Sequence, residues 1–217
     1  MPNELAELAE LLGRSGATSP LLVVLAGSNG AGKSTFYDAY LDSLALPFIN
    51  ADRIAEELRV GSRVRPPKLS SLPADQAAQR LADEERHASI VLSRSFITET
   101  VLSDPVGAKV SMLNDARGRG YDVWLFFIGI SSPELSRARV RERVISRGGH
   151  DVPADKIQPR YARTLANLPD ALDAASIAIL LDNDLAESPF RFVALFESGT
   201  LVRTCQLTPE WAKAVLH

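Results

Sequence analysis

The chain contains few of the residues from which disulfides, soft-metal sites and membrane spans are built. Among its 217 residues there is one cysteine, Cys205, which excludes an internal disulfide and a cysteine-based zinc site. The histidines, His87, His150 and His217, show no metal-ligand spacing. No apolar run approaches the roughly 20 residues that a membrane helix requires. Residues 1–8 are acidic, unlike a signal peptide, so we predict a cytoplasmic protein that does not contact a membrane.

The chain also has no large excess of either sign of charge. Its net charge is −3, which argues against nucleic acid as a partner. A hydrophobic fraction of 46% and a charged fraction of 24% are ordinary for a globular protein. We predict one domain over residues 1–217, with a core at about 20–185, an arginine-rich lid at about 133–153, and a C-terminal hairpin and helix at about 190–217.

Residues 27–34 form a complete G-x-x-x-x-G-K-[ST] phosphate-binding loop. The apolar run 21–26 predicts the strand that delivers such a loop, and a helix-compatible stretch follows it. We therefore predict that the chain binds ATP (or GTP), with Lys33 reaching the β- and γ-phosphates and Ser34 ligating Mg²⁺. The residues expected to contact the nucleotide are Gly27, Ser28, Asn29, Gly30, Ala31, Gly32, Lys33, Ser34 and Thr35.

Apolar runs alternate with helix-compatible segments along the chain. Strands are predicted at 21–26, 47–50, 96–100, 123–130 and 177–182, and helices at 3–13, 33–44, 52–58, 74–93, 105–119, from 132 and at 154–173. A loop is predicted at 60–72, a hairpin at 190–206 and a short helix from 208. This order predicts an α/β three-layer sandwich of the P-loop kinase type, in which a mainly parallel five-stranded sheet has helices on both faces and is followed by the hairpin and short helix.

Two carboxylates follow predicted strands, at the sheet edge where parallel sheets bind ligands. Asp52 is placed to take the proton of an attacking hydroxyl or to hold Mg²⁺ through water, with a helix cap as the alternative. Glu99 needs a polar partner: a substrate hydroxyl, a metal-bound water, or an arginine elsewhere in the fold. The fourth strand ends at 129–131 without a carboxylate, which favours a small-molecule kinase over a mechanical ATPase.

Five arginines cluster between residues 137 and 147. Arg139, Arg143 and Arg147 share one helical face, and only two glutamates lie near them in the sequence. Such a face beside a phosphate loop predicts a lid that neutralises the transferring phosphate. A solvated basic face and a nucleic-acid patch are the alternatives.

Taken together, these segments resemble the zeta-toxin family of P-loop kinases. The resemblance covers roughly residues 20–185 and is carried by 27–34, 49–52, 96–103, 143–153, Arg160, Tyr161 and 165–168. It implies ATP- and Mg²⁺-dependent phosphorylation of UDP-N-acetylglucosamine at the sugar 3′-hydroxyl, which drains a cell-wall precursor and poisons the cell. It also implies a toxin–antitoxin system; no three-helix antitoxin is evident at residues 1–13, so a separate antitoxin, or none, is expected.

The same resemblance implies roles for individual residues. The catalytic residues would be Asp52, Lys33, Arg143 and Arg147. The substrate-binding residues would be Asp52, Glu99, Thr100 and Arg160. The assignment of the two lid arginines has Arg139 and Arg160 as alternatives. Two other functions stay open: a kinase for another small hydroxylated acceptor, such as a nucleoside or an antibiotic, and a non-catalytic nucleotide-gated module that grips RNA or a protein.

Overall fold

The structure is organised around one sheet of seven strands. The computed structural model describes residues 18–147 and 153–216, apart from the side chains of Arg147 and Ala154. The strands are β1 Leu21–Ala26, β2 Phe48–Ile49, β3 Phe96–Thr100, β4 Asp122–Gly129, β5 Ile177–Asp182, β6 Arg191–Glu197 and β7 Thr200–Thr204. The helices are α1 Lys33–Phe36, α2 Ala51–Val60, α3 Ala74–Val91, α4 Ala108–Gly118, α5 Pro133–Arg147, α6 Ala154–Ala166 and α7 Leu168–Ala174. The helix predicted at 3–13 lies outside the described residues.

The strand order is β2-β3-β1-β4-β5-β6-β7, and β1 to β5 are parallel. Every residue of the central strand β1 is buried. Leu22 and Val24 pack into one core cluster while Val23 and Leu25 pack into another, because successive side chains point to opposite faces of a sheet. The α/β sandwich is therefore confirmed, and the carboxyl ends of the first five strands meet at one edge of the sheet.

The C-terminal hairpin is part of this sheet, so the predicted number of five strands is wrong. β6 pairs antiparallel with β5, and β7 pairs antiparallel with β6. Without the hairpin, β5 would leave a row of unpaired backbone N–H and C=O groups at the sheet edge. Val193 and Phe196 of β6 are buried in the main core cluster, which anchors the hairpin there.

Two of the predicted helices are interrupted. The helix predicted at 33–44 is α1 followed by a π-helical turn, Tyr37–Leu41, and a 3-10 turn, Asp42–Leu44. The helix predicted at 154–173 breaks between α6 and α7, because Pro169 lacks the N–H that would continue the first helix.

The remaining segments add structure around the sheet. The loop predicted at 60–72 contains a 3-10 turn, Pro67–Leu69, and buries Leu69 in the core. The last predicted helix is a 3-10 segment, Glu210–Val215, whose Trp211 packs on Gly129 of β4. None of the helices in the described part of the chain has the length and apolar character of a membrane span.

Candidate active site

The phosphate loop starts where β1 ends and is shaped by three glycines with left-handed backbones. Gly27, Gly30 and Gly32 have φ values of 143°, 73° and 97°. A Cβ atom at Gly27 would lie 2.2 Å from the carbonyl oxygen of Ile128, so only glycine lets the loop pass this close to β4. The hydroxyl of Ser28 is buried and finds no hydrogen-bond partner within the described ranges.

Side chains from two later segments hold the loop in this shape. Ser136 of α5 is fully buried and donates a hydrogen bond to the Asn29 carbonyl at 2.6 Å. Asn183, directly after β5, donates from Nδ2 to the Ala31 carbonyl at 2.8 Å. Neither residue was predicted from the sequence. Ser136 lies 107 residues from its partner in the loop and Asn183 lies 152 residues from its own, and no sequence pattern indicates contacts over such separations. The one available signal was that Asn183 follows the carboxyl end of a strand.

Lys33 lies inside the loop and is only 5% exposed. Its ammonium group donates to the carbonyls of Gly27 and Ser28, at 3.0 Å each. It also lies 3.6 Å from Oε1 of Glu99. The ammonium group therefore uses two of its three N–H donors for its own loop and forms an ion pair with Glu99.

Glu99 joins the phosphate loop to the ends of β2 and β3. Its carboxylate accepts hydrogen bonds from the Ser34 hydroxyl at 3.1 Å and from Asn50 Nδ2 at 2.8 Å, and it faces Lys33. A strand carboxylate that is 14% exposed needs such partners. The partners in the structure are a lysine, a hydroxyl and an amide rather than the arginine considered from the sequence.

Asn50, and not Asp52, caps the start of α2. Its Oδ1 accepts hydrogen bonds from the backbone N–H groups of Asp52 and Arg53, at 2.7 and 3.1 Å. The helix-cap alternative for Asp52 is therefore wrong, and its carboxylate is exposed on the first turn of α2. Because the other end of the Asn50 amide binds Glu99, this one side chain joins the Glu99 carboxylate to the backbone of Asp52. The sequence signal was an asparagine directly before a helix.

The two further residues predicted at the substrate site flank the segment after β3. The Thr100 hydroxyl accepts a hydrogen bond from the N–H of Leu102 at 3.0 Å and so supports a turn in which Leu102 has a φ of 58°. Arg160 is half-buried on α6. The same helix is bound to this segment through the Thr164 hydroxyl, which donates to the Val101 carbonyl at 2.7 Å.

The arginines of α5 differ in their environment. Arg139 donates to the backbone carbonyls of Asn183 and Asp184, at 2.7 and 3.0 Å, and so ties α5 to the segment after β5. The Arg139 guanidinium therefore serves the fold in this structure, and the choice among the lid arginines stays a prediction. Arg143, one turn further on, is half-buried. The side chain of Arg147 and all of residues 148–152 lie outside the described residues.

Tyr161 connects α6 to the end of β4. Its hydroxyl donates to the Ile130 carbonyl at 2.9 Å. Burial, followed by the negative charges of Asp184 and Glu134, raises the pKa of Tyr161 to about 12. The phenol is therefore neutral at physiological pH and keeps this hydrogen bond.

Comparison with known proteins identifies one family. The family model described as zeta toxin matches residues 8–183. A Haemophilus influenzae protein described only as uncharacterized is 31% identical over 135 residues, which cover 62% of this chain and 88% of that protein.

Solved structures share the fold at low sequence identity. The native AvrRxo1-ORF1:AvrRxo1-ORF2 complex aligns with a TM-score of 0.66 and 18% identity over 98% of this chain and 70% of that chain. The same complex with ATP gives 0.57 and 16% over 91% and 68%. The PezAT chromosomal toxin–antitoxin system of Streptococcus pneumoniae gives 0.55 and 18% over 99% and 84%. This chain spans about two thirds of the AvrRxo1 chains.

Proposed function

The chain belongs to the zeta-toxin family, and on that basis we propose that it is a kinase that transfers the γ-phosphate of ATP to a hydroxyl of a small acceptor. The observation that carries the proposal is that Ser34 of the phosphate loop and Asn50, the cap of α2, bind the same carboxylate, Glu99. Direct transfer requires a donor loop and an acceptor base that meet at one place in this way.

The proposed acceptor is a UDP-amino sugar such as UDP-N-acetylglucosamine, phosphorylated at its 3′-hydroxyl. Asp52 would accept the proton of that hydroxyl, because its carboxylate is exposed and its backbone N–H is held by Asn50. Thr100 and Arg160 would contact the acceptor from the end of β3 and from α6. This specificity is the part of the proposal that rests on family resemblance.

On the donor side, we assign to Lys33, Arg143 and Arg147 the neutralisation of the negative charge on the γ-phosphate. The Lys33 ammonium has three N–H donors and gives two of them to its own loop, so the third would donate to a phosphate oxygen. Arg143 and Arg147 lie beyond the part of α5 that Arg139 holds in place, which suits them to close over a bound triphosphate.

The oxygen donors at the loop fit Mg²⁺. The Ser34 hydroxyl and the Glu99 carboxylate lie 3.1 Å apart, and both are ligands of the hard kind that this ion prefers. Across 18–147 and 153–216, no cluster of three or more His, Cys, Asp or Glu side chains could hold a metal, so the nucleotide's own oxygens would complete the site. When bound, Mg²⁺ would neutralise charge on the phosphates. Glu99 could bind either a metal-bound water or the acceptor hydroxyl. Its contact with Ser34, the proposed Mg²⁺ ligand, favours the metal-bound water.

We further propose that the protein is the toxin of a cytoplasmic toxin–antitoxin pair with a separate antitoxin. The support is membership of the zeta-toxin family, together with a fold shared with the PezAT toxin–antitoxin system. Expression should then slow the growth of a bacterial host, and Asp52→Ala should relieve the effect.

The decisive experiment is mass spectrometry of reactions that contain the protein, ATP and Mg²⁺. One reaction receives a mixture of UDP-sugars, and others receive nucleosides or aminoglycoside-type antibiotics. The expected result is one added phosphate on a UDP-amino sugar and none with the Asp52→Ala protein. Phosphorylation of a nucleoside or antibiotic alone would move the acceptor to another class. If no phosphorylated product forms and the protein instead binds polynucleotides in a salt-sensitive way, it is a binding module and the kinase proposal is wrong.

A further inference from the structure

A buried arginine lies outside the catalytic groups described above. Arg86 occupies the core-facing stripe of α3, in line with Ala78, Ala82 and Ile90 at four-residue intervals. It is 3% exposed, although apolar residues surround it on this face. A charge in such a position needs a reason, because burying an ion costs several kcal/mol unless it is well paired.

The guanidinium of Arg86 begins a chain of hydrogen bonds that crosses two strands. It donates from one nitrogen to the Thr98 hydroxyl of β3 at 3.1 Å. That hydroxyl donates in turn to the carbonyl of Ile49 in β2 at 2.9 Å. A second nitrogen binds Asp83, one turn earlier on α3, at 2.6 Å. Helix α3 is thereby linked to the ends of β3 and β2.

Strand β2 depends on this link because its own pairing is short. It contains two residues, and its register with β3 consists of Phe48 opposite Ile97 and Ile49 opposite Thr98. A ladder of this length fixes a strand end weakly, since few backbone bonds hold it. The buried hydrogen bonds of Thr98 add a fixed point at its last residue.

The residues that follow on each strand are those of the candidate active site. Asn50 comes directly after Ile49, and Glu99 comes directly after Thr98. We propose that Arg86 is a positioning residue that holds β2 against β3, so that Asp52, the proposed base, stands at a fixed separation from Glu99. This inference rests on the proposed kinase function.

The pairing of Arg86 agrees with a role in geometry more than in stability. Burial acts to raise the pKa of Asp83, but hydrogen bonds from Arg86 and Lys109 outweigh it and lower the pKa, so this carboxylate is shared between two cations. Asp83 is 50% exposed, and Nε of Arg86 is buried without a partner in the described part of the chain. An apolar side chain would fill this space without those costs but could not bind Thr98.

The test compares variants of Arg86 and Thr98 with a variant of another arginine that contacts α3. Arg86→Met and Thr98→Val remove the link, while Thr98→Ser keeps the hydroxyl. Arg63→Gln is the control, because the ion pairs of Arg63 join Glu57 of α2 to Glu85 of α3. Three quantities are measured: kcat with the acceptor, the Kd for ATP, and hydrogen exchange of the Asp52 and Arg53 amides, which Asn50 caps.

We expect Arg86→Met and Thr98→Val to lower kcat on the order of 10²-fold, as small displacements of catalytic groups do. The Kd for ATP should change by less than about threefold. Exchange at the two capped amides should accelerate by about tenfold or more, because the start of α2 loses its fixed point. Thr98→Ser and Arg63→Gln should remain close to the unmodified protein in all three measurements.

Other outcomes overturn the inference. If Arg86→Met or Thr98→Val lowers ATP affinity as much as kcat, or if Thr98→Ser loses as much kcat as Thr98→Val, the network supports the fold without positioning Asp52. Unchanged exchange at Asp52 and Arg53 contradicts it equally. Should Arg86→Met not fold, the two Thr98 variants decide. If the unmodified protein phosphorylates no acceptor, the kinase proposal fails, and the exchange measurement still decides whether Arg86 fixes the strand ends.

Discussion

The hydroxyl of Ser34 donates a hydrogen bond to the carboxylate of Glu99 across 3.1 Å, which ties the last residue of the phosphate loop to the end of β3. Since Asn50 binds the same carboxylate at 2.8 Å, a change at Glu99 reaches both the donor and the acceptor side. The contact also places the Glu99 carboxylate of β3 beside the hydroxyl that would hold Mg²⁺. The end of β4, at residues 129–131, has no carboxylate for this role.

Replacing Glu99 with glutamine should therefore weaken the response to Mg²⁺. Glu99→Gln keeps an oxygen for Asn50 and Ser34 but removes the negative charge, so the Mg²⁺ concentration for half-maximal activity should rise about 10- to 100-fold. Activity measured across a Mg²⁺ series at saturating ATP and acceptor gives this value. An unchanged Mg²⁺ response with a raised KM for the acceptor would place Glu99 on the acceptor instead.

Removing the proposed base should slow transfer strongly and leave nucleotide binding intact. Asp52→Ala deletes an exposed carboxylate on α2 and leaves the phosphate loop unchanged, so kcat should fall on the order of 10²–10⁴-fold at an unchanged Kd for ATP. Glu56→Gln is the matched control, because Glu56 is an exposed acid of the same helix that pairs with Arg59. Substantial turnover by the Asp52→Ala protein would remove this residue as the base.

Two arginines of α5 should differ in role: Arg139 should stabilise the fold, and Arg143 should contribute to catalysis. Arg139→Gln loses two hydrogen bonds to backbone carbonyls, so its free energy of unfolding should drop by about 1.5–3 kcal/mol for each. Arg143→Gln should lower kcat on the order of 10³-fold while ATP still binds. Arg141, exposed on another face of the helix, is the control and should tolerate glutamine. Urea unfolding and steady-state kinetics on the three variants check this, and a purely kinetic defect in Arg139→Gln would contradict it.

Two glycines with left-handed backbones should differ in how they tolerate alanine. At Gly61, after α2, a Cβ atom meets nothing within 4 Å, so Gly61→Ala should cost only the roughly 1–2 kcal/mol of backbone strain. At Gly27 the Cβ atom would lie 2.2 Å from a backbone oxygen of β4, which adds about 1–3 kcal/mol of overpacking. Denaturant unfolding of both variants measures the difference. Equal losses would show that the loop can move away from β4.

The raised pKa of Tyr161 predicts a loss of stability at high pH. The ordinary tyrosine pKa is about 10, and the folded-state pKa is about 12. Folding therefore favours the neutral phenol: this contribution is complete below pH 10 and is lost as the pH rises towards 12. Tyr161→Phe should lose about 1 kcal/mol at neutral pH with its hydrogen bond and should lack the alkaline decline. Unfolding curves across this range decide, and parallel declines in both proteins would assign it to other groups.

The sequence allowed prediction of those parts of the site that depend on local pattern. Asp52 and Glu99 could be located because they follow apolar runs, and strand ends of a parallel sheet share one edge. Asn183 could not, because its contact with the loop depends on tertiary packing across most of the chain. Arg139 and Arg143 lie four residues apart on the same face of α5, so their spacing does not distinguish their roles. The structure distinguishes them, because Arg139 donates to the backbone carbonyls of Asn183 and Asp184. The hairpin was predicted, but periodicity does not say which edge an extra strand joins.

The contacts that hold the phosphate loop come from residues that are synthesised long after the loop itself. Ser136 and Asn183 stabilise a loop that the ribosome completes more than a hundred residues earlier. A growing chain folds from its beginning, so it carries the G-x-x-x-x-G-K-[ST] motif long before the side chains that shape it exist. Until translation has passed β5, a growing chain lacks two of the side chains that hold the loop in the shape seen here.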